Sequence, residues 1–88
     1  MGNKDIKDRL QKEGYQLIHQ YDDPPSEEFP DHDHPGDQLM IVLEGSIAVA
    51  MNGENHLLAP GDELYVPAHM THRAKVGPKG CKYIVGEK

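Results

Sequence analysis

His32-x-His34-x-x-x-Gln38, with His72 far downstream, places three imidazoles and one amide in a chain of 88 residues. Together they are a donor set suited to a divalent metal ion. Residues two apart in a β-strand leave the same face, about 7 Å apart at Cα, so His32 and His34 can share a site. Gln38 is a different case. Four extended residues span about 13 Å, too far for His34 and Gln38 both to reach one ion at about 2.0–2.2 Å. The chain must bend between them. His34-Pro35-Gly36-Asp37 has Pro at the second turn position and Gly at the third, the type II preference, and that turn would fold Gln38 back beside His34. Six histidines in the chain make one H-x-H pair weak evidence by itself, so the weight falls on the pattern around it.

Composition limits the scaffold that can hold these residues. The chain is one small domain, near the size where a single core is marginal. With 36% apolar residues and a mean hydropathy of -0.71 there is little material for a core. Metal binding or burial in an oligomer is expected to supplement it. The single cysteine, Cys81, excludes an intrachain disulfide framework and fits a reducing cytoplasm. No apolar run approaches the roughly 20 residues of a membrane span, and the N-terminus lacks the apolar region of a secretory signal. A net charge of -6 without a basic stripe argues against nucleic acid as a partner. A soluble cytoplasmic protein is expected.

Residues 1–14 read as a short helix: Asn3 can cap it, Ile6 and Leu10 share a face, and Gly14 can end it. The remainder, 15–88, reads as strands and turns. Residues 15–21 are a strand, followed by an acidic, Pro-rich loop over 22–31. Strands are expected at 38–43, 46–51, 54–59, 63–66, 70–76 and 81–85. Asn52-Gly53 is a type I′ hairpin signal, Ala59-Pro60-Gly61-Asp62 a Pro-Gly turn, and Gly77-Pro78-Lys79-Gly80 a connection. Short strands with turns about every ten residues indicate a β-sandwich or barrel. Leu39 to Leu43 is apolar on both faces, so its outer face must meet a second subunit or the N-terminal helix, and a homodimer is the reading favoured.

At these residues the sequence resembles the cupins, small jelly-roll barrels. Their first motif has H-x-H, a few residues, Glu or less often Gln, six residues and Gly; here it runs from His32 through His34 and Gln38 to Gly45. Their second resembles P-G-D, a short strand and P-x-G-x-x-H; here it runs from Pro60-Gly61-Asp62 to Pro67-Ala68-His69-Met70-Thr71-His72. The match covers roughly residues 32–76. The resemblance implies an all-β jelly-roll barrel with the helix packed on it, and a divalent transition metal (iron, manganese, nickel, zinc, cobalt or copper) on His32, His34, Gln38 and His72. Gln38 departs from the commoner Glu, and His69 stands where Gly is usual.

Three imidazoles and an amide leave the ion's charge uncompensated, which predicts weaker retention than a carboxylate set and a stronger Lewis acid. Without thiolate ligands a closed structural zinc site is disfavoured. The expected function is a metal-dependent enzyme on a small polar or sugar-derived substrate, of isomerase, lyase or oxygenase type. Small cupins with a Gln ligand resemble those of sugar-acid metabolism, which favours the Lewis-acid form. The alternative is a non-catalytic module binding a small ligand or metal. No catalytic residue stands out beyond a metal-bound water. Met40, on the face of Gln38, with Tyr65 and His69, is expected to line the substrate pocket. Cys81 reads as a small buried residue and Arg73 as pointing away from the metal.

Overall fold

A helix, α1 (Asn3–Lys12), precedes six strands in the computed structural model, which describes residues 3–88 without the Asn3 side chain. The cap expected of Asn3 and the start of the 1–14 segment lie outside the described residues. α1 carries Asp5 in its first turn and Arg9 and Lys12 in its last, complementing the helix dipole at both ends. It ends in a Schellman motif: Gly14, at φ 94°, donates to the Gln11 carbonyl, and Tyr15 donates to that of Leu10. Leu10 and Tyr15 join the same apolar cluster, the contact that usually accompanies this cap.

The strands are β1 (Leu17–Asp23), β2 (Glu28–His32), β3 (Gln38–Met51), β4 (Glu54–Leu58), β5 (Glu63–Val66) and β6 (His72–Glu87). β3 and β6 pair antiparallel from Gln38↔Glu87 to Met51↔His72. Laid straight, the 14 residues of β3 would span about 45 Å, yet the longest dimension of the molecule is 31 Å. The pair has to fold over, and its register shifts between Val42 and Ile47 mark the crease. β1 and β5 extend one half of the folded ladder; β2 and β4 extend the other. The halves face each other across one core, with Val42, Tyr83 and Val85 from the first and Ile47, Val49, Leu58 and Val76 from the second. This is the all-β barrel with a short N-terminal helix that the sequence indicates.

The structure corrects several local expectations. The expected strands 38–43 and 46–51 are one continuous strand, as are 70–76 and 81–85. Gly45 and Gly80 are not turn residues. They let the two strands cross at the crease, where a Cβ on Gly45 would run into the Gly80 carbonyl. The expected loop 22–31 contains β2, which tolerates Pro30 because it pairs on one side only, with β6. The type II turn expected at Gly36 is absent, since Gly36 does not take a positive φ. A Cβ there would instead strike the Lys88 carbonyl, so this glycine serves close approach. The expected connection Gly77-Pro78-Lys79-Gly80 lies within β6, whereas the turns at Asn52-Gly53 and Pro60-Gly61 form as expected. Asn52 and Gly53 have φ of 53° and 78°, as type I′ requires. Gly61 has φ 92°, with the Asp62 N–H on the Ala59 carbonyl at 2.9 Å, as in type II.

The outward side chains of the first half, Leu39, Ile41 and Ile84, are buried under Ile6 and Leu10 of α1 together with Tyr15. The burial that pointed to a second subunit is thus supplied within the chain. Arg9 ties the helix to β5 through both carboxylate oxygens of Glu63, at 2.6 and 2.7 Å. No described helix is long and apolar enough to cross a membrane.

Candidate metal centre

His32 ends β2 and His72 begins β6, where the two are paired neighbours; His34 follows in the connection to β3. Their ring centroids lie 4.9 Å (His32–His34), 4.3 Å (His32–His72) and 5.3 Å (His34–His72) apart. One nitrogen from each falls within 4.8 Å of the others. An ion with bonds of about 2.0–2.1 Å needs its nitrogens roughly 3.0–3.4 Å apart, so small ring rotations would close the set. Two of the rings are already oriented. His32 Nδ1 lies 2.7 Å from the Pro30 carbonyl oxygen, and His72 Nδ1 lies 2.9 Å from that of Met70. A carbonyl only accepts, so each Nδ1 carries the proton and each Nε2 keeps its lone pair for a ligand. Hydrogen bonding of this kind holds metal-binding imidazoles in place.

At His34 the electrostatics favour the neutral form. His34 has its pKa lowered, first by burial and then by the neighbouring His32 and His72, with Glu87 and Asp33 opposing. Gln38 lines the same cavity of about 180 Å³ as the three rings, with Met40, Val49, Val66 and Val85 among its apolar walls. Its Nε2 donates to Glu87 Oε1 at 2.7 Å. The donor chemistry therefore fits a divalent transition metal. A wider groove of about 1180 Å³ lies over Ala48, Ala50, Arg73 and Lys75. It is open and holds none of the three imidazoles, so the smaller cavity is the candidate site.

A family profile described as a cupin domain matches residues 19–85. The chain is a cupin. It is 46% identical over 48 residues to the HTH-type transcriptional activator RhaS of Mannheimia succiniciproducens, covering 54% of this chain and 18% of that protein. To the dimethylsulfoniopropionate lyase DddW of Ruegeria pomeroyi it is 31% identical over 62 residues, covering 70% of this chain and 41% of the lyase. The chain spans less than half the length of either curated relative. Among solved structures, an RmlC-like cupin from Shewanella frigidimarina aligns with a TM-score of 0.74 at 28% identity, covering 81% of this chain and 63% of that one.

The two segments that carry the candidate ligands are stapled together. The His69 N–H donates to the His34 carbonyl, and the Ala68 N–H donates to Asp37 Oδ1, both at 2.8 Å. That bond, followed by one from the Tyr65 hydroxyl, holds the Asp37 carboxyl below its ordinary range. Of the residues expected at the pocket, Met40 lines it. Tyr65 does not; it pairs in register with Leu39, on the helix-covered side, and its hydroxyl props Asp37. His69 lies outside as well, with its side chain 73% exposed and 3.7 Å from Asp33. Cys81 is buried, and its thiol is pushed up to about 11 by burial and then by Asp23, leaving it unreactive. Sequence reasoning missed Asp37 and Glu87, whose partners are 31 and 49 residues away.

His69 also explains why cupins favour glycine at this position. Its φ is 63°, in the left-handed region that penalises a Cβ by about 1–2 kcal/mol. His69→Gly is expected to stabilise the metal-free protein by about 1 kcal/mol, raising its melting midpoint by about 4–8 °C. An unchanged or lower midpoint would mean that the imidazole gains as much beside Asp33 as its backbone loses.

Proposed function

We propose that this cupin holds one divalent transition metal on His32, His34, His72 and Gln38, and that their cavity is the active site for a small oxygenated molecule such as a hydroxy acid or sugar-derived acid. The observation that carries the reading is the convergence of three imidazoles, two with Nδ1 already tied to carbonyls. Iron, manganese, nickel, cobalt, copper and zinc all suit nitrogen and oxygen donors of this kind. Bound there, the ion would supply Lewis acidity, little offset by neutral ligands. The chain's own groups do the rest. Met40, Val49, Val66 and Val85 exclude water and keep the dielectric low, which strengthens every charge interaction inside. A cavity of about 180 Å³ is below the roughly 300–1,000 Å³ of typical ligand sites, which restricts the substrate to a small molecule.

Isomerase or lyase chemistry is the form favoured, and one curated relative is named a lyase. A second reading, a ligand-sensing module, is favoured by the likeness to a relative named a transcriptional activator. The test begins with elemental analysis of protein purified at pH 7.5 without chelator. The loaded protein is then incubated with small hydroxy acids, uronates and dimethylsulfoniopropionate, followed by proton NMR. One metal per chain and consumption of a compound would support the enzyme. A ligand that raises the melting midpoint while every compound stays intact would favour sensing. No metal after reconstitution with iron, manganese, nickel and zinc would sink both forms of the metal reading.

A further inference from the structure

We propose that Glu87 is a positioning residue for the metal centre: its carboxylate holds the Gln38 amide so that the amide oxygen faces the imidazoles, and it supplies the negative charge that the neutral donors lack. The inference rests on the metal-binding reading above and assigns a role to a residue outside both cupin motifs.

Gln38 and Glu87 are direct register partners at one end of the β3–β6 ladder, 2.7 Å apart from Nε2 to Oε1. An ionised carboxylate only accepts hydrogen bonds, so the Gln38 atom facing it must be the NH₂ group. The amide oxygen is then the end left for the cavity that Gln38 lines. Room for this arrangement comes from Gly36, where a Cβ would lie 3.0 Å from Glu87 Cγ and 3.2 Å from Oε2. The glycine that makes no type II turn is the one that admits the carboxylate. Its charge also reaches His34, opposing the effect of burial and the other imidazoles there. A charged partner behind a ligand raises that ligand's basicity, as carboxylates do behind metal-binding histidines. A neutral amide backed by Glu87 thus regains part of what a carboxylate ligand would give.

The test measures affinity for Co(II) and Zn(II) by competition with a chromogenic chelator, beside the Co(II) visible spectrum and the metal-free melting midpoint. Glu87→Ala is expected to weaken binding about 10–100-fold and to change the Co(II) spectrum as the amide turns. Glu87→Gln, close in shape and uncharged, should weaken it less and keep the test valid if the alanine variant melts early. In a Gln38→Ala background, Glu87→Ala should cost clearly less than it does in the parent, because the residue it positions is gone and only the loss of its charge near His34 remains. Native affinity and spectrum in both Glu87 variants, with binding lost in His72→Ala, would overturn the positioning role and leave the metal reading intact. An undiminished Glu87 effect without Gln38 would overturn it too. A parent protein that binds neither ion would remove the metal reading itself.

Discussion

His72→Ala is expected to bind a divalent transition metal more than about 100-fold more weakly than the parent chain, beyond the 10–100-fold that loss of an outer-shell partner costs. His72 is 7% exposed, and its ring is fixed by the Met70 carbonyl. Alanine removes a donor that was already aimed. The parent should gain about 2.7 kcal/mol of stability at a hundredfold excess of metal over its dissociation constant, worth about 10–20 °C in melting midpoint. That gain should depend on pH in one direction. The pKa of His34 is lowered in the folded chain, so above about pH 6.5, the ordinary imidazole value, folded and unfolded states are equally deprotonated. As pH falls through that value the unfolded chain takes a proton that folded His34 refuses, and the metal-free fold loses stability until the folded pKa is passed. Metal binding needs deprotonated imidazole, so the stabilising effect of the metal should be larger at pH 7.5 than in acid. The check is a pair of melting curves, with and without metal, at each pH. An equal metal-induced shift in His72→Ala would sink the site.

The second large effect concerns the other side of the sheet. Leu10 is fully buried, in one cluster with Ile6, Tyr15, Leu39, Ile41 and Ile84. Leu10→Ala is expected to cost about 2–5 kcal/mol through lost burial and the cavity left behind. A domain of this size has a total stability of roughly 4–13 kcal/mol, so the change is a large share of it. The melting midpoint should fall by at least about 10 °C. Sedimentation should show the variant self-associating more than the parent, because a loosened α1 uncovers Leu39, Ile41 and Ile84 as a contiguous apolar patch. A midpoint within a degree or two of the parent would mean that α1 contributes little to the barrel.

The Pro60-Gly61 turn and the Asn52-Gly53 hairpin are legible because each states its geometry within a few residues, whereas Pro35-Gly36 has the same turn chemistry and makes no type II turn. What escaped was set by contacts across the sheet. Gly45 and Gly80 read as strand ends, because a glycine in sequence looks the same whether it makes a turn or admits a neighbouring backbone. β2 was hidden among prolines and acids, since its strand character comes from pairing with β6 and not from its own composition. The sequence of β3 shows that its outer face is buried but not what buries it; the cover from α1 emerges only in the packing. Glu87 and Asp37 carry no signal of their own. An acidic residue near a chain end, or beside a turn, is ordinary until its partner is known.

The crease gives the molecule a lever. From Gly45 to Gln38 the strand forms an arm of about 23 Å, and its tip reaches the same cavity as His72 at the far end of the ladder. By that arm length, opening the fold by about 5° would move Gln38 by roughly 2 Å, about the length of one metal–ligand bond. Substitutions at the pivot, far from any candidate donor atom, would then tune how tightly the mouth grips an ion bound there. The grip would in turn set the angle of the fold.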